Sequence, residues 1–319
     1  MERVEAGSRP LDGMVCLEFG ALMVFIKENA MRKIALSLVA AGLLASVAPV
    51  AQAALITFDS YTTGTLNAAN TGNAWLVNQG GVSTKFDIAA SGGLSNTKSI
   101  TTIDQSIQAD GTAVYQTAFN PTSGPITVSA YVKLSNLAND NTTIPIGLGI
   151  SGTNTAYYNA VAGVDYVLAR ISRVNNGYAN LTYTMQLQTE NNGSATTYNW
   201  ITSSSSFATT GTAAQWTATD GNWYFVAATF TKSGNNLLTN LKIVNSDNAG
   251  VLGTTVFDQT GTLANSVVAN DTTVYGGFRA YANGGMAAID NVTVVPEPTS
   301  LSLLGLGAAG LLLRRRKSV

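Results

Sequence analysis

The chain has 319 residues, a formal net charge of -1, one cysteine and no histidine. The missing histidine excludes Ser-His-Asp and Cys-His catalysis and every His-ligated metal site, and a lone Cys16 excludes an internal disulfide framework, so a packed core must hold the fold. Charged residues make up only 11%, and between Ala54 and Val295 eight Lys or Arg stand against twelve acids, which argues against a nucleic-acid partner.

Residues 1–30 carry no clear pattern. A secretory signal follows them in "MRKIALSLVAAGLLASVAPVAQA", residues 31–53. Arg32 and Lys33 supply the positive start, Ile34 to Val47 the apolar stretch, and Pro49 breaks the helix. Ala51 and Ala53 are the small residues that signal peptidase accepts, with Ala54 the first residue after the cut. Such a signal belongs at the extreme N-terminus, so translation is expected to start at Met31. The purine-rich codons available to Lys27-Glu28 fit a ribosome-binding site there. Residues 1–30 would then be a mis-assigned, unstructured upstream extension.

From Ala54 onward the pattern is that of strands. In "PITVSAYVKL" (Pro125–Leu134), Ile126, Val128, Ala130, Val132 and Leu134 share one face. In "LTYTMQLQT" (Leu181–Thr189), Leu181, Tyr183, Met185 and Leu187 do the same. In "WYFVAATFTK" (Trp223–Lys232) the set is Tyr224, Val226, Ala228 and Phe230, and "NLKIVNS" and "AIDNVTVV" keep the same period. Turn signals join these runs: Ser91-Gly92-Gly93, Asn175-Asn176-Gly177, Asn191-Asn192-Gly193 and Ser233-Gly234-Asn235. No long helical period and no repeat interrupts them. The expectation is an all-β fold, one antiparallel β-sandwich over residues 54–294. A signal helix is expected before it and a transmembrane-like helix after it.

Three stretches resemble the laminin-G-like or concanavalin-like jelly roll. "DGNWYFVAATFTKSGNNLL" (Asp220–Leu238) is similar to its Gly-x-Trp-Tyr strand and the turn after it, through Gly221, Trp223, Tyr224, Val226, Ala227 and Thr229. "VYGGFRAYANGGMAAIDNVTV" (Val274–Val294) resembles the closing element, and "ALITFDSYTTGTL" (Ala54–Leu66) the opening strand. The resemblance implies a fold that hosts lectins, glucanases and structural modules alike, so it assigns no activity.

Glucanases on such a fold need two carboxylates about 5–5.5 Å apart in retaining enzymes. Glu190 is the single glutamate between Ala54 and Val295, and it reads as a solvated residue before a turn. No catalytic residue is therefore assigned, and the chain is expected not to be an enzyme. Calcium is compatible with Asp140, Asp165, Asp220, Asp271 or Asp290 on loops, but no spacing marks a ligand set, so no metal or other cofactor is assigned. Asp290 reads first as a turn or edge hydrogen-bond acceptor. Sugar binding needs aromatic faces among amides and hydroxyls. The candidates are Trp75, Tyr157, Tyr158, Tyr198 and Trp200, the last two within "ATTYNWITSS". Trp223 is assigned to the fold.

The chain ends "VPEPTSLSLLGLGAAGLLLRRRKSV". Pro296-Glu297-Pro298 is stiff and extended. Leu301 to Leu313 is almost purely apolar and marginal in length for a span. Arg314, Arg315, Arg316 and Lys317 act as a stop-transfer cluster on the cytoplasmic side. Over residues 295–319 this resembles the PEP-CTERM sorting signal of exported proteins of Gram-negative bacteria. That resemblance implies processing by an exosortase at Pro296, Glu297 and Pro298, after transient insertion in the inner membrane. It also implies delivery to the cell surface or the extracellular matrix. Three readings remain: a non-enzymatic matrix protein of a biofilm that binds exopolysaccharide, a polysaccharide hydrolase or lyase, and a purely structural coat protein.

Overall fold

The computed structural model describes residues 54–79, 86–102, 108–134, 144–154, 163–173, 182–191, 194–199, 207–209, 215–283 and 287–296. They all belong to one compact unit. The described residues form two antiparallel sheets. In spatial order the first holds β12 (Phe207–Thr209), β16 (Leu252–Leu263), β15 (Asn236–Ser246), β14 (Trp223–Ser233), β7 (Ile126–Leu134), β18 (Ala287–Pro296), β5 (Ser99–Thr102), β4 (Phe86–Ala89) and β2 (Gly64–Thr65). A short β1 (Ala54–Ile56) also pairs with β18. The second holds β11 (Ser194–Asn199), β10 (Thr182–Asn191), β9 (Tyr166–Arg173), β8 (Ile144–Ser151), β17 (Val274–Asn283), β6 (Gln108–Phe119) and β3 (Trp75–Gln79), with β13 (Gln215–Thr217) beside β10. The chain passes between the sheets repeatedly, so neither can form a core without the other.

The period-two pattern sets what is buried. Ile126, Val128, Ala130, Val132 and Leu134 of β7 are all 0–1% exposed. They meet Tyr183, Met185 and Leu187 of β10 and Ile146, Leu148 and Ile150 of β8 in a single cluster. The β14–β15 hairpin turns on Gly234, whose φ of 62° lies in the left-handed region that glycine occupies freely. At Gly276 the two sheets approach so closely that a Cβ there would stand 2.5 Å from Val294 Cγ1 and 3.3 Å from Val128 Cγ2.

One strand departs from the alternation expected of it. β18 loses register against β7 between Asp290 and Thr293. Asn291, with φ 49°, is the extra residue of a β-bulge. Because of it, Ile289, Val292 and Val294 all point into the core, although 289 and 292 have opposite parity.

The bulge places the Asp290 carboxylate, 1% exposed, against the loop before β5. Its Oδ2 accepts the Leu94 N–H at 2.9 Å and the Thr97 hydroxyl at 3.0 Å, and its Oδ1 accepts the Asn291 N–H at 2.7 Å. Gly93 leaves the space, since a Cβ there would lie 2.5 Å from Oδ2. Burial raises the Asp290 pKa above the ordinary carboxylate value, and the three hydrogen bonds only partly oppose this.

Two outcomes follow. Gly276→Ala, which overpacks the sheet contact, should destabilise the fold by about 1–3 kcal/mol in urea unfolding. For Asp290, a raised native pKa means that the native state holds the proton more tightly than the unfolded chain. That stabilisation is complete below the unfolded carboxylate pKa of about 3.9 and is lost as pH rises through the raised value. Asp290→Asn removes the titration, so its stability relative to wild type should improve as pH rises from about 3 to 7, as read from urea midpoints.

Candidate functional site

β9 and β10 pair so that Tyr166 faces Glu190, Leu168 faces Gln188 and Arg170 faces Gln186. These side chains project from the face turned away from the core, where alternation would leave them in water. Much of this face is buried instead: Tyr166 is 1% exposed, Glu190 2%, Gln188 5%, and Arg279 on β17 5%, while Arg170 and Gln186 are half-buried. Val114, Val164, Tyr166 and Leu168 form a small apolar cluster on this same face. Gly147 of β8 stands opposite both Arg279 and Arg170. A Cβ there would meet Leu168 at 2.8 Å and the Arg170 Cβ at 3.1 Å, so glycine is what lets the neighbouring side chains lie across the sheet.

The polar groups form one chain. Arg170 donates through Nε and Nη2 to Gln186 Oε1, at 3.0 and 2.7 Å, and through Nη1 to Gln188 Oε1 at 2.6 Å. Arg279 Nη1 reaches the same Gln188 oxygen at 3.4 Å. The Gln188 amide donates to the Tyr166 hydroxyl at 2.8 Å, and Tyr166 in turn hydrogen-bonds Glu190. Burial first, then the Glu190 charge, lift the Tyr166 pKa far above that of an ordinary phenol, with Arg279 opposing. The hydroxyl therefore stays protonated and remains a donor to the carboxylate. Burial, then the charge of Arg279, lowers the Arg170 pKa to about 10, which keeps it cationic at neutral pH. These links hold the rotamers along the row.

The far end of this chain opens into a cleft of about 470 Å³ at one end of the sandwich. Tyr166, Glu190 and Asn191 form one wall, Thr196 and Tyr198 of β11 a second, and the end of β16 at Leu263 with the loop 264–268 after it a third. That loop is tied to the β14–β15 hairpin, since Asn265 N–H donates to Asn236 Oδ1 at 3.2 Å and Ser266 N–H to Asn235 O at 3.0 Å. Asn265 takes φ 51°, a left-handed conformation that asparagine tolerates. β1 begins and β18 finishes at this same end of the sandwich, because Ala54 pairs with Val294 and Pro296 with Ile126.

The structure separates the residues singled out from the sequence. Tyr198 lines the cleft, with part of its ring against the core. Trp75 is no stacking platform: it is 0% exposed and packs on Phe278 and Tyr115, with ring centroids 5.3 and 5.4 Å away. Its strand alternation turns it inward. Tyr157, Tyr158 and Trp200 lie outside the described residues, as do Ala51, Ala53, Glu297, Pro298, Arg314, Arg315, Arg316 and Lys317. Ala54 is the first residue of β1, and Pro296 is the last of β18. Glu190 corrects the reading of a solvated residue, being buried beside Tyr166. Its alternation with Gln186 and Gln188 was visible in the sequence, but the burial of that face was not.

The aspartates do not assemble a metal centre. Among the described residues no group of three or more acidic, His or Cys side chains comes together. Asp271 has its pKa raised by burial and then by the charge of Asp165, with Lys232 opposing. Asp220 is exposed, Asp290 is taken up by its three donors, and Asp140 lies outside the described residues. No helix among the described residues is long and apolar enough to cross a membrane.

Residues 294–317 match the family model described as the PEP-CTERM protein-sorting motif. The chain carries a PEP-CTERM sorting motif. That motif marks a protein for export and for sorting to the cell envelope, with processing by an exosortase. It begins inside the fold, because Val294 is a core residue of β18 and Pro296 closes that strand. No curated protein matches the chain in sequence. Among solved structures, the chain is similar to lectin II from Ulex europaeus, with 9% identity and a TM-score of 0.44, over 77% of this chain and 98% of that one. It is similar to the carbohydrate-binding module CBM66 from Bacillus subtilis, with 11% identity and a TM-score of 0.35, over 70% and 95%. It is also similar to the Emp46p carbohydrate recognition domain in its metal-free form, with 8% identity and a TM-score of 0.42, over 77% and 96%.

Tyr166→Phe should test the network without changing its shape. It strands the Gln188 amide, and a stranded buried donor costs about 1–3 kcal/mol. The loss should be visible in urea unfolding.

Proposed function

We propose that this protein is a non-enzymatic, exported glycan-binding protein of the cell surface or matrix. In this reading the signal at residues 31–53 is removed after Ala53 by signal peptidase. The segment from Leu301 to Leu313 then holds the precursor in the inner membrane while an exosortase acts at Pro296-Glu297-Pro298. The ligand is an exopolysaccharide of the producing cell, in keeping with a place in biofilm. Over the described domain the fold is a concanavalin-like jelly roll.

The cleft carries this reading. Its volume suits a small ligand. Its walls offer hydroxyls, amides, one carboxylate and the ring of Tyr198, the groups that meet a sugar's hydroxyls and its C–H face. A glycosidase would need a second carboxylate across the bond, and among the described lining residues Glu190 is the only acid.

The test is a glycan array probed with the full chain, followed by incubation with each bound polysaccharide. Saturable binding without new reducing ends or unsaturated products supports the reading, and release of such products sinks it. Tyr198→Ala should weaken binding by about 1 kcal/mol or more. Intact mass of the protein from an exosortase-bearing host should show loss of the tail beyond the Pro-Glu-Pro region. A mass that still ends at Val319 would count against processing.

A further inference from the structure

We infer that the cleft selects a neutral sugar residue and excludes acidic ones, with Glu190 as the hydrogen-bond acceptor that makes the selection. The inference rests on the reading of the cleft as a glycan site and names the ligand class for it.

Charge is the first argument. The described lining contains Glu190 and no Lys or Arg. An ionised carboxylate only accepts hydrogen bonds, and a sugar hydroxyl is a suitable donor to it. A uronate, sulfate or phosphate group would bring a second negative charge next to a side chain that is 98% buried by its 2% exposure. Like charges at such a site repel strongly because little water screens them. Among the described lining residues there is no cation, and the nearest guanidinium groups, Arg170 and Arg279, are held by glutamines within the row.

The second argument is fixation. The Tyr166 hydroxyl that donates to Glu190 is itself held by Gln188, and Gln188 is held by Arg170 and Arg279. The carboxylate is thus aimed before a ligand arrives, which lowers the ordering cost of binding. The two guanidinium groups point at Gln186 and Gln188 and do not line the cleft. They act through the row and offer an anionic ligand no direct partner.

The third argument is the complement of the other walls. Asn191, Thr196 and Asn265 both donate and accept, which suits a polyol. Tyr198 adds an apolar surface for the ring.

The experiment is calorimetric titration of the full-length chain in detergent. The probes are neutral gluco-, galacto- and manno-oligosaccharides, beside uronate oligomers of the same length. The expected result is binding of at least one neutral series, with uronates at least about tenfold weaker. Glu190→Gln keeps the shape but removes the charge. It should weaken neutral binding at least about tenfold and narrow the gap to uronates. Uronates that bind as tightly as neutral oligomers would overturn the inference while leaving the glycan-site reading intact. So would a folded Glu190→Gln chain with unchanged neutral affinity. Binding of neither class would overturn the glycan-site reading itself. The comparison of neutral with acidic probes needs only wild-type protein, so it decides the matter even if Glu190→Gln fails to fold.

Discussion

The last strand of the domain lies in the interior of the first sheet, with β7 along one side and β1 and β5 end to end along the other. Everything else in the sandwich depends on that placement. Its inward side chains Ile289, Val292 and Val294 belong to the main core, and Gly276 lets the opposite sheet close on Val294. With a single cysteine in the chain, no internal disulfide supplements this contact. Stability therefore rests on apolar burial between the sheets and on the fit of their backbones.

That constraint reaches the cleft. β16 leaves the first sheet and β17 enters the second through the loop that forms one wall. β17 in turn carries Arg279 into the row of polar side chains that ends at Glu190. The cleft is therefore not an independent loop feature but the open end of a network seated on the second sheet. The sorting motif is joined to the same framework, because its first residues are the end of β18. Removing residues from the chain end inward of Pro296 would remove core, not linker.

Much of the architecture was legible in the pattern of residues. The alternation in β7, in β10 from Tyr183 to Leu187 and in β14 is legible because side-chain parity along a strand is a local property, while Leu181 lies outside the described residues. The Ser233-Gly234-Asn235 turn was legible for the same reason. Trp223, which the sequence places in the fold and not in a site, packs with Leu94 and Ala288. The alternation failed at Asn291, where a bulge inverts the parity of β18, and no neighbouring residue announces it. Trp75 sits among polar residues and looked exposed, yet its partners Phe278 and Tyr115 are far away in the chain.

Glu190 marks the limit of local reading. Its position before an Asn-Asn-Gly stretch points to a solvated side chain, and only the fold buries it against Tyr166. By itself the sequence determined the strand content, the absence of histidine chemistry and the C-terminal sorting motif, because these are properties of composition and of short contiguous segments. The tertiary structure alone decided which polar side chains lose their water, which aromatic ring faces a cleft and which acid is left there. Burial and proximity are set by strands distant in sequence, and no window along the chain contains both partners of such a contact.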